Sequence, residues 1–487
     1  MTERTLSYPG PDRRRAEILG LILLHWAMLA ITWNGIDTSD AYRYASAAFG
    51  LNVGQLPDTH WGLRWPLVLP MAISVTLFGE SEFALLLPTV VASTALVWVT
   101  WRLAEQWIDR DTGRIAAILM ATSPLFAVPD IHVRQPELLL TLIAIACLAR
   151  SDGRRLGPFV VAGFLAWLAW ACRETSAYLP VMLGLGALIL VRPWQRGAIG
   201  AAVLGATFAA AILLEWTFYR LVYGDWIYRI RVDMGHGGDT AGTAFMGNAP
   251  TAAQTWLMPL VESSLSPMTP IFLVALAGIA IAPFAKPDLT APGRRAATYL
   301  GLGSIGAYAL CVGALNLEWY RYYSIVPYAA TLIAAWAIAR MGRGSRQIIA
   351  GVVLVAICLG GPVIRGVRDQ ADSRAPYRLA QIATERDAVV KATDFVLHAQ
   401  LLLRLAGEPQ SRVVAIDDPA QLAPGDLVFL PAGGREGIES EASWTELDRY
   451  PPSPLPVLLR PFAGLPFIGP SLTDEPGQVL WRVGPPG

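Results

Sequence analysis

The stretch Arg13-Arg14-Arg15-Ala-Glu-Ile-Leu-Gly-Leu-Ile-Leu-Leu-His-Trp-Ala-Met-Leu-Ala-Ile-Thr-Trp33 decides the fold class. Three arginines stop and an apolar run begins, close to the roughly 20 helical residues that cross a hydrocarbon core of ~30 Å. No small-residue cleavage site follows it, so the run reads as a retained first span rather than a signal peptide.

Similar runs recur along the chain, near 83–101, 114–129, 135–149, 157–172, 177–191, 198–222, 256–283, 296–315, 322–339 and 347–364. With 17–33 they predict about eleven spans. Every second connection is short and basic: Arg102, Arg110 and Arg114; Arg150, Arg154 and Arg155; Arg192 and Arg196; Lys286, Arg294 and Arg295; Arg340, Arg343 and Arg346. Positive charge marks the cytoplasmic side, so the N-terminus is expected inside and everything after about 365 outside. The composition agrees: 54% hydrophobic and 16% charged residues leave too little charge to cover a soluble surface. A formal net charge of zero gives no sign of a nucleic-acid partner. Lys286 and Lys391 are the only lysines, a bias that suggests a GC-rich bacterial source and hence the inner membrane. Cys147, Cys172, Cys311 and Cys358 lie in or beside apolar runs without metal-ligand spacing and read as buried free thiols.

The outward connections differ in kind. The first, 34–82, contains the apolar run Trp65–Phe78, too short to span and expected to lie at the interface or re-enter. Another, 223–255, is rich in Gly and small residues and is expected to be mobile, a candidate lid. From 371 to 487 the chain turns soluble in character. Val389–Thr393, Val413–Ile416, Leu427–Leu430, Val457–Leu459 and Val479–Val483 read as strands, Phe395–Leu405 as a helix ended by Gly407, and the Pro-rich stretch 451–456 as a connection. The expected fold is an all-α polytopic transmembrane bundle (1–365) with juxtamembrane periplasmic helices and a small C-terminal α/β extramembrane domain (371–487).

Five polar clusters fall on the outward side. Asp37, Asp40, Arg43 and Tyr44 follow the first span; an acid there can take a proton from an acceptor hydroxyl, or Ser39 or Asp40 can simply cap a juxtamembrane helix. His60 and Arg64 open the interfacial run, where Arg64 either meets a lipid phosphate or snorkels beside Trp65. Asp130, His132, Arg134 and Glu137 share a short loop that either closes a cavity or holds a divalent ion. Arg173 and Glu174 sit between two apolar helices, where charge must pair, bind or line a wet cavity. Glu318, Arg321 and Tyr322 precede the tenth span, with aromatics beside Arg321 that suit a phosphate, a sugar ring or an interface belt. Gly301-Leu-Gly303-Ser-Ile-Gly306 matches a dinucleotide fingerprint but lies in an apolar span without a preceding strand, so close helix packing is the expected reason. No phosphate-binding loop or zinc signature appears, so an enzyme of this layout would draw its activated substrate from the membrane.

In this order the clusters resemble the GT-C superfamily of membrane glycosyltransferases, nearest its bacterial aminoarabinose-transferase and protein O-mannosyltransferase branch. Asp40-Ala-Tyr-Arg-Tyr44 stands where the branch has its Asp-Glu-x-x-Tyr-like motif, although Ala41 replaces the Glu and Asp37 competes. Arg64-Trp65-Pro66-Leu67 is similar to the basic residue before Pro-Pro-Leu, and Phe78-Gly79-Glu80-Ser81-Glu82 to Phe-Gly-x-Ser-Glu. Glu137, Arg173-Glu174 and Arg321-Tyr322-Tyr323 with Pro327 match its later elements. The resemblance implies sugar transfer from a polyprenyl-phosphate-linked donor, hexosyl or pentosyl, to a lipid, glycan or protein acceptor. It makes Asp40 or Asp37 the catalytic acid residue and lets Arg64, Arg173 and Arg321 bind the donor phosphate. Tyr44, His60, His132, Glu137, Glu174, Glu318 and Tyr322 would then contact substrate; no cofactor is firmly implied and a divalent metal stays open. The alternative is a transporter or flippase for a lipid-linked or anionic substrate, which would spread ionisable residues through the midplane. Here Glu215 is the main acid within a span.

Overall fold

A computed structural model describes residues 11–33, 35–36, 40–235, 268–285, 288–315, 317, 322–341, 347–416, 422–434, 442–451 and 477–486. Its helices are α1 (Pro11–Ile31), α2 (Ala41–Asn52), α3 (Trp65–Phe78), α4 (Glu82–Trp107), α5 (Arg110–Ala121), α6 (Arg134–Arg150), α7 (Gly157–Cys172), α8 (Tyr178–Leu190), α9 (Trp194–Tyr223), α10 (Tyr228–Gly235), α11 (Thr269–Ala285), α12 (Ala291–Tyr308), α13 (Ile325–Met341), α14 (Gln347–Glu385) and α15 (Val396–Leu405). A helix stands at each of the eleven predicted segments. By length and apolar composition, Glu82–Trp107, Trp194–Tyr223 and Ala291–Ala314 could each cross a membrane alone, and several shorter apolar helices pack around them.

Local chemistry sets most of the boundaries. Gly79, at φ +79°, stops α3; Ser81 then caps α4 by accepting from the Ala84 amide at 3.2 Å. Asp109 caps α5 in the same way through Thr112 at 2.8 Å. The expected span 114–129 ends as a helix at Ala121, because Pro124 and Pro129 withhold donors and disfavour helical backbone in the residues before them. Two glycines of Gly301-Leu-Gly303-Ser-Ile-Gly306 pack closely, a Cβ on Gly303 striking Ile325 and one on Gly306 striking Met182, whereas Gly301 has open space around it. After α12 the chain widens into a π-helical turn, Ala309–Ala314.

The predicted short helix α3 has one buried face, Leu67, Val68, Met71 and Val75, and one exposed apolar stripe, Leu69, Ile73 and Leu77. That four-residue spacing suits a helix lying against lipid. The largest core joins α4 to α8 with α11 to α13. A second core gathers Tyr44, Phe49, Trp61, Met71, Cys172 and, from the C-terminal region, Leu401. All four cysteines are free, Cys172 and Cys311 fully buried.

The helix α14 is continuous from the last apolar run to Glu385 and leads into a five-stranded sheet: β1 (Val390–Ala392), β2 (Val413–Ala415), β3 (Leu427–Pro431), β4 (Ala442–Tyr450) and β5 (Gln478–Pro486), in the order β2-β1-β3-β5-β4. β1 runs parallel to β2 and β3, so α15 forms the β1–β2 crossover, while β5 is antiparallel to both neighbours. Four predicted strands and the helix appear near their expected places. β4 went unpredicted: Trp444-Thr-Glu-Leu-Asp-Arg-Tyr450 is too charged to read as a strand by composition. Val457–Leu459 falls outside the described residues.

Candidate active site

The site is built where the connections α1–α2, α2–α3, α5–α6, α7–α8 and α9–α10 meet at one end of the bundle. α2 begins at Asp40, which holds the N-cap position without a side-chain capping bond. The carboxylate is therefore not spent on its own helix. One turn on, Tyr44 is fully buried and its hydroxyl accepts from Arg64 Nη1. Arg64 precedes α3, is 8% exposed, and reaches Glu174 at 4.0 Å. Arg43 on the outer side of α2 lies 4.0 Å from the Trp61 ring, whose centroid is 3.6 Å from that of the tilted His60 ring.

Arg173 and Glu174 do not pair with each other. Arg173 turns to Glu137, 3.6 Å away, lies 3.5 Å from the His132 ring nitrogens, and stacks over Tyr322 at 5.0 Å. Glu137 also accepts from Ser176 at 2.5 Å. Glu174 turns the other way, to Arg229 at 2.7 Å. The extended backbone at Arg173, between α7 and a short 3₁₀ turn, sends neighbouring side chains to opposite sides. Asp130 is held by Arg134 and by Gln135 at 3.0 Å, so it does not join Glu137 and His132 as a metal ligand set. Among the described residues no three His, Cys, Asp or Glu side chains converge on a metal position. Asp37, Glu318 and Arg321 lie outside the described residues.

Arg229, on α10, was not singled out from the sequence and is the most buried cation of the site. Its guanidinium bonds Glu174, Glu215 at 3.2 Å and the Trp170 and Ala171 carbonyls at 3.0 Å each, and lies over the Trp170 ring. Glu215 completes its set with Trp167 at 2.8 Å and Tyr219 at 2.6 Å; Tyr219 in turn accepts from Trp65 at 3.0 Å. The connection expected to be mobile thus opens with an anchored helix, while 236–255 fall outside the described residues. The signal was present: an acid within a span, Glu215, demands a cation, and Arg229 is the next arginine but one after it.

The charges hold one another in place. Burial raises the Glu174 carboxyl, but Arg229 and Arg64 overcome it, leaving the group below the ordinary range. Desolvation lowers Arg64, yet Tyr44, Glu174 and Asp40 more than restore it. Tyr44 is pushed up to about 12, chiefly by burial. Asp233, one helical turn beyond Arg229, is raised to about 6 by burial and by Glu174, against Arg64 and Arg229. The arrangement offers a fixed, dry guanidinium beside a helix that starts on an uncapped acid. Such a pair can neutralise a developing anion and accept a proton.

Residues 66–218 match the family model described as dolichyl-phosphate-mannose-protein mannosyltransferase. The fold is similar to that of ArnT from Cupriavidus metallidurans bound to undecaprenyl phosphate: TM-score 0.56 and 13% identity, covering 91% of this chain and 97% of that one. The apo state of the same protein gives 0.55 and 13%, covering 90% and 96%. The archaeal oligosaccharyltransferase AglB from Archaeoglobus fulgidus, in complex with an inhibitory peptide and a dolichol-phosphate, gives 0.49 and 11%, covering 86% and 69%. A search of curated protein sequences finds no match. The likeness of fold to ArnT thus extends over nearly the whole chain, while the family-model match is confined to residues 66–218.

Proposed function

We propose that the protein transfers a sugar from a polyprenyl-phosphate-linked donor to an acceptor, with inversion at the anomeric carbon. The observation that carries the reading is Arg64: a buried guanidinium fixed by Tyr44 and Glu174 beside the helix that Asp40 begins. The fold likeness to ArnT supports it, since that protein has been solved with undecaprenyl phosphate bound. In this scheme the acceptor hydroxyl gives its proton to Asp40, its oxygen bonds to the anomeric carbon, and the bond from that carbon to the phosphate oxygen breaks. The negative charge left on the lipid phosphate is met by Arg64, with Arg173 assisting from the Glu137 side. Arg321 and the competing acid Asp37 stay in the scheme as second candidates, and Tyr44, His60, His132, Glu137, Glu174, Glu318 and Tyr322 as substrate contacts.

The membrane setting belongs to the same proposal: eleven crossings within 1–365, a cytoplasmic N-terminus, and the site with the 371–487 domain in the periplasm of a bacterial inner membrane. The arginine pattern of the loops supports this sidedness. A transporter is less well supported, because Glu215 is bound into the cluster at one end by Arg229, Trp167 and Tyr219 rather than lining a midplane path.

The test is turnover in nanodiscs, read as polyprenyl phosphate released from hexose- and pentose-linked donors. Asp40→Asn is expected to lower turnover by about 10²–10⁴-fold while leaving undecaprenyl phosphate binding intact. Arg64→Gln is expected to weaken that binding by at least about tenfold. Wild-type turnover in Asp40→Asn would sink the assignment and move it to Asp37.

A further inference from the structure

We infer that Tyr377, on the far side of the chain in sequence, is a positioning residue for the catalytic segment; the inference rests on the reading of Asp40 as the base. Tyr377 lies on the last turns of α14, where the chain enters the sheet. Its hydroxyl does two things at once. It accepts from the backbone N–H of Ile36 at 3.2 Å and donates to Glu82 Oε1 at 2.7 Å. Ile36 is 3% exposed and lies four residues before Asp40, so its amide has little access to water as a substitute partner. The ring lies so close to Gly35 that any Cβ there would collide with it, and Gly35 also adopts φ +101°, which favours glycine.

Two further contacts tie the same units together. Arg404 of α15 forms a two-point ion pair with Glu80 at 2.7 and 2.8 Å and lies 4.1 Å from the Phe49 ring on α2. Leu401 of α15 is buried in the same core as Tyr44 and Phe49. The Phe78-Gly79-Glu80-Ser81-Glu82 corner therefore has a use beyond ending one helix and capping the next. Glu80 and Glu82 are two of the points at which the C-terminal region grips the membrane part. Through Tyr377 that grip extends to the backbone that leads into α2. The start of α2 is thus held by Tyr377 on the chain before it and by Arg64 on Tyr44 after it. Displacement of a reacting group by about 1 Å can cost 10²-fold in rate, so a hydroxyl remote from the chemistry can govern turnover.

The experiment pairs hydrogen exchange with kinetics on the full chain in nanodiscs. Tyr377→Phe keeps the ring but removes both hydrogen bonds. The Ile36 amide is expected to exchange at least about tenfold faster, with α4 and α9 unchanged. Turnover is expected to fall about 10–100-fold while the affinity for undecaprenyl phosphate stays within twofold. Glu82→Gln still accepts from Tyr377 and should retain near-normal turnover; Glu82→Leu removes only the Tyr377–Glu82 bond and should fall between wild type and Tyr377→Phe in both readouts. Unchanged exchange at Ile36, or faster exchange with normal turnover, would overturn the inference. Normal turnover in Asp40→Asn would instead overturn the base assignment, leaving the exchange result to stand on its own.

Discussion

At one end of the bundle Arg14 pairs with Glu105, and Arg110 and Arg114 with Glu17, their arginine side chains 35, 32 and 33% exposed. At the other end Arg229 bridges Glu174 and Glu215 with its side chain 0% exposed, and Arg173 faces Glu137 at 3% each. The residue types are the same and the distances similar, but the dielectric differs. Half-wet pairs gain little over their hydration and need no purpose beyond anchoring helix ends. Buried pairs are often no better than apolar replacements, so a cluster of them at one end calls for a function. The contrast separates the loops that hold the bundle from the loops that build a site.

Removing Arg229 tests the contrast most severely. Arg229→Leu leaves Glu174 and Glu215 buried without their shared cation and also strips Trp170 and Ala171 of a donor. A loss of about 3–5 kcal/mol is expected, visible as a collapse in the yield of monodisperse protein. A stable Arg229→Leu protein would mean that the network is wetter than its geometry implies.

Asp233 sharpens the comparison through pH. Its carboxyl is raised to about 6 from an ordinary 3.8, mainly by burial and then by Glu174. A raised carboxyl favours the folded state while protonated; that contribution is complete below pH 3.8 and is lost as the pH rises through 6. Asp233→Asn removes the loss, so the variant should melt about 1–3 °C higher at pH 7.5 and at the wild-type temperature near pH 4. An equal gain at both pH values would tie the effect to something other than titration.

The smallest effect is expected at the opposite end. Arg114→Gln should cost less than about 1 kcal/mol, and the difference from wild type should shrink as salt rises from 0.05 to about 0.5 M. A cost comparable to that of Arg229→Leu would erase the distinction between the two ends.

The apolar helices and the division into two ends could be read from residue order alone, though α10 could not. Apolar length predicts where helices lie, and the arginines of alternate loops do meet in space: Arg14, Arg102 and Glu105; Arg150 with Gln106; Arg295 with the Ser151 carbonyl; Arg340 with Asp109. Hydrophobic thickness and charge cost are one-dimensional constraints, so a linear chain records them. The short helix Trp65–Phe78 was legible for the same reason.

Pairing was not legible. Arg173 and Glu174 are adjacent in the chain and look like a couple, yet extended backbone between them gives each a partner from another helix. Arg229 sits in a connection that composition marks as loose, and only its burial against α7 and α9 reveals its weight. Tyr377 stands 341 residues from the amide it holds. Sequence determined which residue types occupy the site end, because hydrophobic matching and loop charge act locally. Tertiary structure decided which acid meets which base and which backbone is clamped, because those choices depend on how non-neighbouring helices pack.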